Sequence, residues 1–470
     1  MNDQELRKRH LQVSDAEVIS NATRPSKIIF VLLCAVPMFA MLLYGGVDMV
    51  MLGIFSLITT LIVILWIVDA WSLRELRFST NTLQLPMIGL ILIGLIQLLP
   101  LGDPGSAVDA LNIAPNSALS VAPWATRLFT VRFFAYLIFF AAALTFVDTE
   151  RRSKKLLFSI LTFGSLFAFA GILQKVASPD AMYGYRQSAD SIPFGPLINQ
   201  HHFAAFMEMT SGLALGLLFG TGLKREHKPF LMIAAALMGI AIVFTGSRGG
   251  MISYAGVIAF VLIASYAVRR RSGSTEGLSS SGTSRVTAAL GIVALVFVVA
   301  GSAFYLGGGD SLLRGIGLNV GDADITTGRI QFWTIALKIF AAHPILGSGL
   351  DSYRVANTFY DPQNGTFLVE HAHNDYLQIL SDTGILGFAC IVAFVVLLFR
   401  NGIKNISESA NGLGQSIAIG ALAGCLGIAI HSFFDFPLRT PANALFFFLL
   451  VVLATTKYTP IAKSGHRSSV

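Results

Sequence analysis

Long apolar runs separated by short polar segments dominate the chain. An α-helix needs about 20 apolar residues to cross a hydrocarbon layer roughly 30 Å thick, and most of the runs approach that length. The pattern therefore predicts an all-α polytopic membrane protein with about twelve transmembrane helices. The predicted spans are residues 28–48, 50–70, 82–99, 128–147, 156–176, 202–222, 229–245, 250–268, 286–306, 383–400, 414–432 and 442–456.

Lysine and arginine alternate between the connecting segments. If the N-terminus is cytoplasmic, the termini and every second connection are basic, and together they contain 23 of the 33 Lys and Arg residues. Cytoplasmic loops carry such an excess, so both termini are predicted to be cytoplasmic. The predicted domains are a cytoplasmic segment 1–27, spans one to nine in 28–306, a large, partly helical periplasmic loop 307–382, spans ten to twelve in 383–456, and a cytoplasmic tail 457–470.

Composition narrows the class of protein further. The chain is 54% hydrophobic and only 13% charged, with a mean hydropathy of +0.69. Soluble domains carry roughly 25% charged residues, which excludes a cytosolic enzyme, a disordered tail protein and a nucleic-acid reader. The three cysteines all fall inside apolar runs, which disfavours a disulfide framework or a zinc site.

Arg329 is one of the basic residues that membrane orientation does not explain. It precedes an apolar face formed by Ile330, Trp333, Leu337 and Phe340, which predicts an amphipathic helix with an N-cap at 326 or 327. A cation is disfavoured at a helix N-terminus. A bound anion there would meet the helix dipole, free N–H groups and a guanidinium together. We therefore predict a phosphate site, the alternative being an ordinary exposed arginine.

Arg248 lies in a glycine-flanked turn, residues 245–250 (TGSRGG), between two predicted spans. Such a turn exposes backbone N–H groups beside the guanidinium, which suits a phosphate group. Two further polar clusters are expected on the same side of the membrane. They lie in residues 195–203 and 431–439 and contain Asn199, His201, Asp435 and Arg439.

His373 lies at the start of a predicted helix whose N-cap is Asn374. The unperturbed pKa of an imidazole is close to working pH, so a neutral histidine here can accept a proton. The alternative is a purely structural histidine. The pair His371 and His373 also raises the question of a metal, but neither a cysteine nor a helical HxxxH spacing accompanies it, so no metal is predicted.

The polar clusters described above contribute to a set of five short motifs between residues 247 and 439. They are His373-Asn374 with Gly384 and Gly387, Ser247-Arg248-Gly249, Gly328-Arg329 with Trp333, residues 343–349 (HPILGSG) and residues 435–439 (DFPLR). This set resembles the signature of bacterial O-antigen ligases and the related O-antigen and exopolysaccharide polymerases. The resemblance extends from about residue 195 to 450, and before residue 190 it is limited to hydropathy and span order.

The resemblance implies a GT-C-like fold in the bacterial inner membrane with a periplasmic active site. It implies inverting, metal-independent and cofactor-free transfer of a glycan from undecaprenyl diphosphate to lipid A–core or a growing lipid-linked polysaccharide. Arg248 and Arg329 would hold the diphosphate, and His373 would act as base. The other partners are membrane lipids, with no nucleic acid. The predicted substrate-binding residues are Asn374, His371, Asn199, His201, Arg354, Asp435 and Arg439.

Two other classes of protein remain open at this point. A transporter or flippase places ionisable residues near the midplane of the membrane, whereas these spans are nearly free of charge. Glu208 is an exception that either faces the site or pairs with an arginine. The second alternative is a non-catalytic subunit of a polysaccharide export complex. Ligase and polymerase share their chemistry, and residues 435–439 favour a polymerase-like member slightly.

Overall fold

The computed structural model describes residues 23–102, 117–187, 191–271, 329–362, 369–409 and 412–457. Within these ranges the helices are α1 Arg24–Leu42, α2 Met49–Leu73, α3 Gln84–Gln97, α4 Pro123–Phe146, α5 Glu150–Ala177, α6 Gln200–Phe219, α7 Lys228–Phe244, α8 Arg248–Arg271, α9 Arg329–Ala342, α10 Tyr353–Ala356, α11 Asp375–Glu408, α12 Gly412–His431 and α13 Pro441–Thr455. Short 3₁₀ helices cover Tyr44–Gly46, Arg225–His227, Asn357–Phe359 and Pro437–Arg439. Strands β1 Ala181–Met182 and β2 Arg186–Gln187 form an antiparallel hairpin.

The prediction of an all-α polytopic membrane protein is confirmed. Among the described residues, nine helical segments are long and apolar enough to cross a membrane, and α3 and α13 are shorter apolar helices. These eleven elements correspond to eleven of the predicted spans. The predicted ninth span, 286–306, lies outside the described residues, as do most of the terminal segments and the first part of the loop 307–382. The count of twelve and the GT-C likeness stay predictions.

The boundary predicted at residue 382 lies close to a kink in α11, at which two helical segments join. Gly384 interrupts the helix with φ +62° and ψ −164°, a conformation that side-chain-bearing residues rarely adopt. The segment 343–349 crosses the helix here. The N–H of Gly349 donates to Asp382 O (2.9 Å), and the N–H of Ile385 donates to Pro344 O (2.9 Å). The glycines of both motifs therefore serve one close backbone crossing.

Glycine also allows α6 and α12 to pack backbone against backbone at the centre of the bundle. Gly212 and Gly216 on α6 face Gly420 and Gly424 on α12. A Cβ on Gly212 would lie 2.8 Å from the backbone N of Gly424 and 2.9 Å from the carbonyl oxygen of Gly420. Small residues at i and i+4 are the usual means of close helix contact within a membrane. This contact fixes the relative position of the two helices whose ends form the site below.

Replacing Gly212 with alanine is expected to destabilise the protein by about 1–3 kcal/mol, because the new methyl group meets backbone atoms that cannot move independently. The matched control is Gly53→Ala on α2, where a Cβ has nothing within 4 Å. The control should be neutral or slightly stabilising, as for other Gly→Ala changes in helices. Thermal unfolding in detergent compares the two, and equal melting temperatures would contradict the packing argument.

A small second core holds α9 in place. It consists of Ile335, Ala336 and Ile339 of α9 packed against Tyr353 and Ala356 of α10, with Ala372 beside them. The Tyr353 hydroxyl donates a 2.9 Å hydrogen bond to the carbonyl oxygen of Phe332 in α9. The amphipathic helix predicted after residue 329 is therefore present and packed. Its contact with Ala372 places α9 beside the segment that precedes α11.

Candidate active site

The N-termini of α6, α9 and α11 meet the connection between α12 and α13 at one end of the bundle. Asp435, in that connection, is the centre, and its side chain is 1% exposed. Its carboxylate oxygens lie 3.3 Å from His373 Nδ1, 3.9 Å from His201 Nδ1 and 4.0 Å from a terminal nitrogen of Arg329. Residues far apart in sequence thus share one buried carboxylate.

His373 directly precedes α11 and has a left-handed backbone, with φ +50°. The predicted N-cap is confirmed, because the side chain of Asn374 accepts two 3.0 Å hydrogen bonds from N–H groups of the first turn. The imidazole stacks on Phe332 with a centroid distance of 5.8 Å, and its ring meets that of Phe436 edge-on at 5.0 Å. Packing on two sides orients the ring with Nδ1 toward Asp435.

Both arginines of the predicted diphosphate site stand at the first residue of a helix. Arg329 begins α9 and Arg248 begins α8, and both side chains are partly exposed. A helix N-terminus presents N–H groups and the positive end of the dipole, which attract an anion in addition to the guanidinium. The N-cap predicted at 326 or 327 lies outside the described residues. Each of the two helix N-termini therefore suits an anion.

The start of α8 is tied to the start of α6 by hydrogen bonds. Asn199 caps α6, since its side chain accepts from the N–H of His201 (2.8 Å). His201 Nδ1 lies 2.8 Å from the Ser247 hydroxyl, which also accepts the N–H of Gly250 (3.1 Å). Ser247 immediately precedes Arg248. The clusters predicted in 195–203 and 245–250 therefore lie together, and His201 joins both to Asp435.

Asp435 is an anion within this site. Burial alone would raise the pKa of its carboxyl, but His373, with further contributions from His201 and His202, holds that pKa well below its usual range. A carboxylate that stays ionised orients a neighbouring imidazole and stabilises it once protonated. Asp435 thus faces the imidazole of His373 and balances the charge of Arg329.

Arg439 lies four residues further along the same connection, surrounded by carboxylates. Its guanidinium forms an ion pair with Asp351, lies 3.0 Å from an oxygen of Asp382 and 3.8 Å from one of Asp375. Burial would lower the pKa of Arg439, but the three carboxylates raise it above its ordinary value. The group joins the 3₁₀ turn after α12 to α11 and to the segment before α10.

Two other predicted binding residues have different surroundings. His371 Nδ1 lies 3.1 Å from the side-chain nitrogen of Gln378, and burial, with Arg439 next, holds the pKa of His371 well below its usual range. His371 is therefore neutral and part of the wall of the site. Arg354 forms a 3.1 Å pair with Glu370 on the surface, where both side chains are more than half exposed. The structure does not bring Arg354 to Asp435.

Sequence reasoning missed a buried pair beneath the site. His431 Nδ1 lies 2.8 Å from Glu208 Oε1, and both side chains are completely buried between α12 and α6. The partner of Glu208 is thus a histidine rather than an arginine. An isolated carboxylate in an apolar helix signals that a partner exists. No local pattern identifies which residue that is, because the two lie 223 positions apart.

One group of described side chains has the spacing of a metal site. One ligand atom from each of His201, His431 and Asp435 lies within 4.8 Å of the others. Nδ1 of each histidine is engaged, by a serine hydroxyl and a glutamate carboxylate, which leaves Nε2 of each ring as the possible ligand atom. A cation here would be repelled by the guanidinium of Arg329, 4.0 Å from Asp435. The neighbouring guanidinium therefore disfavours a metal ion at this group.

Fold and site together define a multi-pass helical membrane protein with an ionisable cluster at one end of its bundle. Residues 233–392 match a family model described as O-antigen ligase. Over 293 residues the chain is 25% identical to an O-antigen ligase of Pseudomonas aeruginosa strain PAO1, an alignment that covers 61% of each chain. The alignment thus spans less than two thirds of that relative. Both comparisons support an O-antigen ligase family, which confirms the resemblance stated from the sequence motifs.

Proposed function

We propose that this protein is a membrane glycosyltransferase of the O-antigen ligase or polymerase type, which transfers a glycan from undecaprenyl diphosphate to an acceptor hydroxyl. The observation that carries the proposal is the shared carboxylate: His373 and Arg329 both lie within 4.0 Å of the buried Asp435. Displacement of a diphosphate by a hydroxyl requires a base and an anion-binding group. Both lie beside the carboxylate of Asp435.

His373 acts as the general base in this mechanism. Because Nδ1 faces the ionised Asp435, the proton of the neutral ring is assigned to Nδ1, which leaves Nε2 to accept the proton of the acceptor hydroxyl. The hydroxyl oxygen then attacks the anomeric carbon from the face opposite the diphosphate, which inverts that carbon. Asp435 stabilises the imidazolium that forms. The proton leaves to solvent after the product departs.

Arg248 and Arg329 hold the diphosphate and stabilise it as it leaves. Negative charge builds on the bridging oxygen as the bond to the sugar breaks, and each guanidinium donates charge-assisted hydrogen bonds to such oxygens. Both arginines stand at helix N-termini, so backbone N–H groups add to the same field. No metal is needed to carry this charge, since two fixed cations already face it.

A cavity of about 170 Å³ supports a lipid-linked donor. Apolar side chains from α3, α4, α11, α12 and α13 line it, and Asp375 and Arg439 mark its polar end beside the site. The Nε of Arg132, another lining residue, is buried and has no hydrogen-bond partner among the described residues. An occupant with an apolar chain and a negative charge fits these features. We assign the isoprenoid chain next to the diphosphate to this cavity.

The site is proposed to face the periplasm of the inner membrane, with both termini cytoplasmic. The basic residues concentrate in connections at the opposite ends of the helices, as expected of cytoplasmic loops. No nucleotide-activated sugar is supplied on the periplasmic side, so a lipid-linked donor is the one consistent with that orientation.

The test supplies purified protein with lipid-linked glycan and acceptor. Wild type should transfer the glycan, and Arg329→Gln should reduce kcat about 10²-fold, corresponding to on the order of 3 kcal/mol of transition-state stabilisation. Lys338→Gln is the matched control, because it removes the same charge from an exposed position of α9. Equal loss in both variants would indicate a general charge effect and remove Arg329 from the diphosphate site.

Ligase and polymerase are separated by the glycans of a deletion strain. Loss of long surface chains with free lipid-linked repeat units indicates a polymerase, whose acceptor is the next lipid-linked unit. Accumulation of long lipid-linked polymer indicates a ligase, whose acceptor is lipid A–core. Normal surface glycan would contradict both.

A further inference from the structure

Three tyrosines form a compact cluster that the proposed reaction does not use. We call Tyr44, Tyr183 and Tyr185 the tyrosine cluster. The hydroxyls of Tyr44 and Tyr185 lie 3.0 Å apart, and the rings of Tyr183 and Tyr185 are nearly parallel, with centroids 6.4 Å apart. Tyr44 meets Tyr183 edge-on at 5.9 Å. The arrangement presents ring faces and hydroxyls side by side.

The cluster is exposed and has charged groups at its edge. Tyr183 is 47% and Tyr185 73% exposed, although large aromatic side chains are usually mostly buried. The guanidinium of Arg186 lies 4.2 Å from the centre of the Tyr44 ring and 3.6 Å from a carboxylate oxygen of Asp48. Aromatic rings, a cation, a carboxylate and three hydroxyls thus lie together within one surface.

Two tyrosines of the cluster have a backbone conformation that is energetically unfavourable for residues with a side chain. Tyr44 has φ +54° and Tyr183 has φ +53°. Tyr183 and Gly184 form the centre of the turn between β1 and β2, where both φ angles are positive and the N–H of Tyr185 donates to Met182 O (3.2 Å). Such turns favour Asn and Gly. Non-glycine residues in this region cost of order 1–3 kcal/mol each and cluster at functional sites.

The cluster lies next to the candidate active site. A Cβ on Gly45, the residue after Tyr44, would lie 2.7 Å from Cγ2 of Thr440. Thr440 directly follows Arg439, and its hydroxyl lies 2.8 Å from Nδ1 of the buried His202. The phenol of Tyr183 donates to the carbonyl of Leu42 at the end of α1. Gly45 and the buried Thr440 therefore join the tyrosine cluster to the connection that contains Asp435.

We infer that the tyrosine cluster is a glycan-binding subsite for sugars beyond the one that reacts. A sugar ring has an apolar C–H face that packs on the electron-rich face of an aromatic ring, and tyrosine adds a hydroxyl for hydrogen bonding. The neighbouring guanidinium and carboxylate provide a donor and an acceptor for sugar hydroxyls. The inference rests on the proposed function, since it takes the glycan to be the substrate.

The test measures donor length dependence with a double variant, Tyr183→Asn with Tyr185→Ser. Asn tolerates the left-handed backbone, so the turn is retained while both rings are lost. Two donors are compared, one with the full glycan and one with a single sugar on the same lipid diphosphate. The ratio of kcat/KM for the long donor to that for the short donor should fall about tenfold. Trp124→Ser, which removes an exposed aromatic ring at the start of α4, should leave the ratio unchanged.

The outcomes separate the inference from the proposed function. An unchanged ratio in an active protein overturns the subsite alone. An equal loss with both donors, together with a lower melting temperature, also overturns it and indicates membrane-interface anchoring, a common role of tyrosine. If wild type transfers neither donor, the proposed function fails. In that case the subsite is tested by calorimetry, which measures the affinity of wild type and variant for the glycan released from its lipid. Equal affinities overturn the subsite.

Discussion

Replacing His373 with alanine is expected to reduce kcat by about 10²–10⁴-fold, the usual contribution of a positioned general base. The acceptor hydroxyl would keep its proton as it attacks, while both arginines would still hold the diphosphate. The loss should therefore appear in kcat, with little change in the KM of the donor. Turnover of purified protein with lipid-linked glycan measures both constants.

Substitution of Asp435 tests whether His373 acts as a base or only lines the site. Asp435→Asn keeps the shape of the side chain but removes the charge that stabilises the imidazolium, so it should lower kcat as well. The double variant should be no worse than His373→Ala, because the two groups act as one unit. His227→Ala, at an exposed position of the turn before α7, is the control. Full turnover in His373→Ala would end its assignment as base.

The spans could be predicted because hydropathy along the sequence is a local signal that the membrane reads directly. Local signals also located Asn374 as a helix cap and the amphipathic helix after Arg329, since both depend on neighbours within one or two turns. The motif glycines could be recognised as breaks in helices. Their function at the crossing of 343–349 over α11 was not predictable, because it depends on which two segments meet.

Pairings across the bundle had no such signal. Arg439 finds Asp382 and Asp351 at separations of 57 and 88 residues, and no periodicity connects these positions. The direction in which a loop residue faces is equally hidden: Arg354 pairs with Glu370 on the surface, and its part in substrate binding stays a prediction. Charge alone predicts that a basic residue needs a partner, not whether that partner is a ligand or a carboxylate of the same chain.

Removal of Arg439 would leave three carboxylates, those of Asp351, Asp375 and Asp382, without their counter-charge. The side chain of Arg439 is 9% exposed, and those of Asp382 and Asp375 are 0% and 17% exposed. Asp382 also accepts the backbone N–H of Asp351 (3.2 Å), so it cannot turn toward water without breaking that bond. Removing one member of a buried pair generally costs about 3–5 kcal/mol, since the remaining charge stays buried.

Arg439→Met is therefore expected to lower the free energy of unfolding by about 3–5 kcal/mol, measured in mixed detergent micelles. Arg354→Met is the matched control, since its pair with Glu370 is exposed and such pairs contribute at most about 1 kcal/mol. Adding Asp382→Asn to Arg439→Met should recover part of the loss, because it removes one of the buried charges left unpaired. A stable Arg439→Met protein with a raised KM for the donor would instead identify Arg439 as the substrate-binding residue predicted from the sequence.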